Sequence, residues 1–140
     1  MIYVTKDDLI AQSYERFIDE SSLDHIAVID KTELRNIELI KSYIGTRYNV
    51  DLIFDPENPI KNEVLTGALV TMILFDLVRR NSARKVPTDY REDYDKAVEL
   101  IQKIGNGKIL LSDLPKAVDA SGQEVSNAIW GNNKNTNFYI

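Results

Sequence analysis

The sequence predicts an all-α fold: a compact four-helix body built around a central apolar helix, followed by an extended C-terminal arm. Three observations carry this. Apolar residues recur at helical spacing through four segments. Residues that cap helices stand where those segments begin. The periodicity then stops at Leu111, and residues 112–140 turn polar and rich in Asn, Ser and Gly before an apolar tip, Phe138-Tyr139-Ile140. The expected division is a helical body over residues 1–111 and an arm over residues 112–140.

The first helix is expected to begin at Thr5. Its hydroxyl can accept a first-turn N–H, and Asp7 and Asp8 favour the positive end of the helix dipole. Leu9, Ile10, Ala11, Tyr14, Phe17 and Ile18 continue the pattern until the polar run Asp19-Glu20-Ser21-Ser22. A connection anchored by Leu23, Ile26, Val28 and Ile29 follows. Asp30 then reads as the cap of the second helix, with Glu33 three residues on in a capping-box pattern. Leu34, Ile37, Ile40, Tyr43 and Ile44 form its apolar stripe, and Gly45 or the Thr46-Arg47 pair ends it. Residues 48–54 alternate apolar and polar, as a strand or an extended loop would. Asp55-Pro56-Glu57-Asn58-Pro59 reads as a turn.

The third helix is expected to open with Asn58 as cap and Pro59 at its first position, and to run to about Asn81. Ile60, Val64, Leu65, Ala68, Leu69, Met72, Ile73, Phe75 and Leu77 leave its middle little polar face. Such a helix is buried on several sides. The fourth helix starts at Thr88 or Asp89. Its stripe is Tyr90, Tyr94, Ala97, Leu100, Ile101 and Ile104, and Gly105-Asn106-Gly107 supplies a left-handed stop.

Composition narrows the function. A chain of 140 residues argues for one domain, and 44% hydrophobic residues suffice for a modest core. The net charge of −5 argues against tight sequence-independent DNA binding, which needs cations to displace counterions. Without cysteine there can be no disulfide, thiolate metal site or cysteine nucleophile. The N-terminus lacks the layout of a signal peptide. The longest apolar run, residues 67–78, is interrupted by Thr71 and Asp76 and too short to span a bilayer. A soluble, intracellular product with no membrane association is expected.

No catalytic, metal or cofactor site is expected. The single His25 has no second histidine or cysteine to join it. The carboxylates Asp89, Glu92, Asp93 and Asp95 cluster on the fourth helix, mostly in its first turn, where they complement the dipole. Asp119-Ala120-Ser121-Gly122 lacks the later ligands of a calcium loop. Asp76 stands out, because it interrupts an apolar helix and a buried carboxylate needs a partner. Arg79 or Arg80 lies at helical spacing, and Arg47 or Tyr48 could arrive from the second helix; a structural ion pair of Asp76 with Arg47 or Arg80 is expected. The basic patch Arg79, Arg80, Arg84, Lys85 and Arg91 complements a helix C-terminus or meets an acidic surface or DNA phosphate. Trp130, Phe138, Tyr139 and Ile140 are large apolar groups in a polar arm, which is how anchors for pockets on partners are built.

Three passages carry a family resemblance: Tyr3-Val4-Thr5-Lys6-Asp7-Asp8-Leu9-Ile10, Ile40-Lys41-Ser42-Tyr43-Ile44-Gly45-Thr46-Arg47-Tyr48, and Tyr94-Asp95-Lys96-Ala97-Val98-Glu99-Leu100-Ile101 followed by Ile104-Gly105-Asn106-Gly107-Lys108. With the apolar helix ending in Asp76-Leu77-Val78-Arg79-Arg80, these resemble the Mu-like prophage family of small head–tail adaptor (connector or neck) proteins, over residues 1–111. The resemblance implies an all-helical structural subunit of the virion neck, made in the host cytoplasm. It implies partners in the portal protein and in tail or neck proteins. It further implies self-association into a homo-oligomeric ring, of about twelve subunits in the family's form, with DNA passing nearby but not specifically bound. An acidic lumen would let DNA slide. The competing expectation is a small helical protein-binding or regulatory module that captures its partner with the arm.

Overall fold

A computed structural model of the chain describes residues 1–13, 26–81 and 86–124. Among these residues the regular structure is all-α: α1 (Lys6–Gln12), α2 (Ile26–Ile44), α3 (Val50–Ile53), α4 (Glu63–Asn81) and α5 (Thr88–Gly105). The central helix is α4, which packs against α1, α2 and α5, while α2 also packs against α5. Leu65, Leu69, Met72, Ile73 and Leu77 of α4 are fully buried, and Ala68, Val70, Leu74, Phe75 and Val78 bury its other sides. A helix with so little polar face is stable only when neighbours cover it on several sides.

The caps explain most of the boundaries. At α1, the Thr5 hydroxyl accepts from the Asp8 N–H at 3.2 Å and the Thr5 N–H donates to the Asp8 carboxylate at 2.8 Å, a reciprocal capping box. The continuation expected through Tyr14, Phe17 and Ile18 lies outside the described residues.

In α2 the sequence reading needs correcting. Asp30 does not cap this helix, which already includes Ile26. The buried stripe is Ile29, Glu33, Asn36, Ile37, Ile40 and Ile44. It begins ahead of Asp30, so packing carries the helix past the local cap signal. Two polar residues hold core positions in this stripe, whereas Leu34, expected inside, is 45% exposed.

Residues 48–54 form neither a strand nor an extended loop. Asn49 caps the short helix α3 by accepting from the Leu52 N–H at 3.2 Å. Tyr48 forms an isolated antiparallel bridge to Lys116. Helix α4 starts later than Asn58 and Pro59 implied. Asn62 is its cap, accepting from the N–H groups of Val64 (3.0 Å) and Leu65 (3.2 Å). Asn58 is instead held in a turn, where the Asp55 carboxylate accepts from the N–H groups of Glu57 and Asn58. At α5 neither Thr88 nor Asp89 is the cap. Pro87 takes that position with extended backbone and no side-chain bond, which leaves Thr88 and Asp89 inside the first turn. The stop is as expected, with Gly107 at φ +81°.

Packing carries past Leu111. Leu114 is buried with the core. The Leu111 N–H donates to the Tyr48 hydroxyl at 2.9 Å, the Asn49 N–H to the Pro115 carbonyl at 2.9 Å, and the Ala117 N–H to the Arg47 carbonyl at 2.9 Å. Asp113 accepts from the Asn62 amide at 2.8 Å, which ties this segment to the start of α4. Residues 112–117 therefore contribute to the body. Beyond them a turn with Gly122 at φ +81° closes the Val118–Glu124 bridge. The remainder of the expected arm lies outside the described residues.

Candidate functional site

Among the described residues two carboxylates reach the interior, and they are satisfied in different ways. Glu33 of α2 is 0% exposed. Its carboxylate accepts from three successive backbone N–H groups, those of Ile2 (2.7 Å), Tyr3 (2.9 Å) and Val4 (2.7 Å). The N-terminal segment is thereby strapped to α2, and a buried carboxylate is stable because donors surround it. Tyr3 beneath the strap accepts from the Asn62 N–H at 2.8 Å and donates to the Ile60 carbonyl at 3.0 Å. Burial pushes the Tyr3 phenol up to about 12.

Asp76 of α4 lies between Phe75 and Leu77 at the floor of a cleft of about 840 Å³ walled by α2, α4 and α5. Its partners come from α2. Arg35 ion-pairs with it at 2.5 Å, and the Asn36 side-chain amide donates to it at 2.9 Å. Arg79, one turn along α4, stands at 3.8 Å. Unlike the amides around Glu33, these cations reach into water: Arg35 is 60% and Arg79 59% exposed at the side chain, against 9% for Asp76. The Phe75 and Tyr94 rings stack at 4.4 Å, and the Arg79 guanidinium lies 5.9 Å from the Phe75 ring centre. Burial, and then the Asp76 carboxylate, push the Tyr94 phenol up. Arg91 adds a third cation on the α5 wall.

Of the expected partners Arg79 is at Asp76, and the other two are corrected. Neither Arg47 nor Arg80 reaches Asp76 among the described residues. Arg47 turns to the end of α5, where it donates to the carbonyls of Gly105 (2.9 Å) and Asn106 (3.2 Å) and meets the negative end of the helix dipole. A Cβ on Gly107 would lie 2.5 Å from that guanidinium carbon, and one on Gly105 would lie 2.2 Å from the Tyr43 carbonyl oxygen. Both glycines therefore permit close packing as well as a stop. Arg80 is exposed at the end of α4. Of the basic patch, the structure brings Arg79 and Arg91 to one cleft, together with Arg35. Arg84, Lys85, Trp130, Phe138, Tyr139, Ile140 and His25 lie outside the described residues. Arg35 was not singled out by sequence reasoning, because a contact 41 positions away leaves no local signal. Among the described residues no helix is long and apolar enough to cross a membrane.

The family model described as Bacteriophage Mu, Gp36 matches residues 3–128. The chain belongs to that family. The match takes in the Glu33 strap, the Asp76 cleft and the body segment after Leu111, and stops short of Trp130 and the apolar tip. No curated protein and no solved structure matches the chain. The expectation of a Mu-like phage protein therefore stands at the level of the family.

Proposed function

We propose that the chain is a structural virion protein: a head–tail adaptor subunit, set between portal and tail in a ring around the DNA channel. The observation that carries this is membership of a bacteriophage family over residues 3–128, nearly the whole chain. Two further features support it. A surface with a net charge of −5 suits a channel wall along which DNA must slide without sticking. A helical body clamped by its own N-terminal strap offers fixed surfaces to neighbours. Trp130, Phe138, Tyr139 and Ile140 are the anchors through which the distal segment docks on those neighbours.

The test is disruption of the gene in a producing phage or prophage, with particles examined by electron microscopy. DNA-filled heads without tails are expected, and the purified chain should restore tail joining. Normally tailed particles would overturn the reading. Particle numbers that fall with tail joining intact would favour the regulatory module.

A further inference from the structure

Two features lie at opposite ends of α4, and their chemistry is complementary. At its C-terminal half is the Asp76 cleft. Arg35, Arg79 and Arg91 face water there above an aromatic floor of Phe75 and Tyr94. Asp76 is the buried counter-charge, and Asp95 stands at the rim. Glu38, also at the rim, is tied to Lys41 at 3.1 Å. With Glu38 offset by Lys41 from outside the lining, three guanidiniums stand against two carboxylates, Asp76 and Asp95, an excess of one positive charge.

At the other end, the chain between Arg47 and Lys61 contains no basic residue and three acids, Asp51, Asp55 and Glu57. It also presents Leu52, 48% exposed, beside the exposed Asp51. Asp55 holds this turn in shape by accepting from the Glu57 and Asn58 N–H groups, so its projection is fixed. An apolar group flanked by carboxylates is the complement of an aromatic floor flanked by guanidiniums.

The acidic turn does not line its own cleft. Asn62 and Asp76 are separated by 14 positions along α4, which at 1.5 Å per residue is roughly 20 Å. We infer that the Arg35–Arg79–Arg91 cleft receives the acidic turn at residues 51–57 of a second copy of this chain, in a head-to-tail contact. Each copy then offers one cleft and one turn, and the contact repeats from copy to copy, as a heterologous interface must. This rests on the adaptor reading for its biological setting and names the surfaces that ring closure would use.

A charge-swap experiment on the full chain tests it. One variant carries Arg79→Glu and Arg91→Glu; the other carries Asp51→Lys and Glu57→Lys. Asp55 and Asp76 stay untouched because they hold structure. In sedimentation velocity the wild type should self-associate, and each variant alone should do so at least about tenfold more weakly. An equimolar mixture should regain assembly, because each altered surface then meets an opposite charge. Arg91→Glu and Glu57→Lys singly, both at exposed positions, with circular dichroism melts, keep the test valid if a double variant folds poorly. Wild-type assembly that both variants retain would overturn the assigned surfaces and leave the adaptor reading intact. A wild type that stays monomeric at every concentration would overturn the inference, while tail joining by the purified chain would still decide the adaptor reading separately.

Discussion

Glu33 and Asp76 are both carboxylates in apolar surroundings, yet one is closed off and the other opens to solvent. Glu33 is met by three backbone amides and is wholly enclosed. Its charge is used up inside the fold. Asp76 is met by guanidiniums whose outer halves remain in water, so charge reaches the surface there. Amide donors carry no net charge and leave nothing to offer a partner. Two arginines on one carboxylate leave a cation to spare. The same functional group thus serves as a latch in one region and as the base of a charged cleft in the other, and the partner chemistry makes the difference.

The largest effect that would break this contrast is on the latch. Glu33→Ala leaves three backbone N–H groups without an acceptor, two of them buried, at about 1–3 kcal/mol for each buried one. A loss on the order of 3 kcal/mol or more is expected from the urea midpoint, and Glu33→Gln should lose less because one carbonyl oxygen remains. A Glu33→Ala midpoint close to wild type would mean that water reaches the strap.

Asp76→Ala should cost less, about 1–2 kcal/mol. Arg35 and Arg79 are already more than half in water and can rehydrate, and Asn36 keeps its 3.0 Å bond to the Thr32 carbonyl. Asp95→Ala on the exposed rim should stay within about 0.5 kcal/mol. Denaturant titrations of the three alanine variants should rank them Glu33, Asp76, Asp95. A cost at Asp76 equal to that at Glu33 would mean that the cleft is closed in solution.

The smallest effect sharpens the comparison with a carboxylate at the surface. The Thr5 backbone N–H, helped by the Thr5 hydroxyl, holds the Asp8 carboxyl below its ordinary value. A folded value below the unfolded one gives stability that is present above the unfolded pKa of about 3.9 and lost as pH falls through the folded value. Asp8→Asn should therefore be less stable than wild type by about 1 kcal/mol or less near pH 6. The gap should close in acid, as pH falls through the folded value. A gap that stays constant from neutral pH to acid would place the effect in packing and not in charge.

What the sequence revealed divides along the same line, between local and distant partners. The Thr5 cap, the apolar girth of α4 and the Gly107 stop are settled by residues a few positions apart, and each was legible. Asn58 and Asn62 carry equal cap chemistry. Distant partners and the turn decide between them: Asn62 also meets the Tyr3 hydroxyl and Asp113, while Asn58 is held in the turn closed by Asp55. Asp30 with Glu33 matches a capping box in sequence, but Glu33 serves backbone 29 to 31 positions away. Arg79 was legible as a neighbour of Asp76 because the helix sets that spacing. Arg35 was not, and Arg47, which looked able to arrive, is drawn to the carbonyl end of α5. The polar run after Leu111 concealed Leu114 and Asp113, whose partners lie at the core and at Asn62.

The central claim is that charge around Asp76 is kept for a neighbour, whereas charge at Glu33 is kept for the fold. Its most direct test is sedimentation velocity of the full chain carrying Arg79→Gln and Arg91→Gln beside the wild type. These substitutions leave Arg35 on Asp76 and introduce no repulsion. The expected result is a shift towards monomer at concentrations where the wild type assembles. Identical sedimentation of the two would contradict the claim.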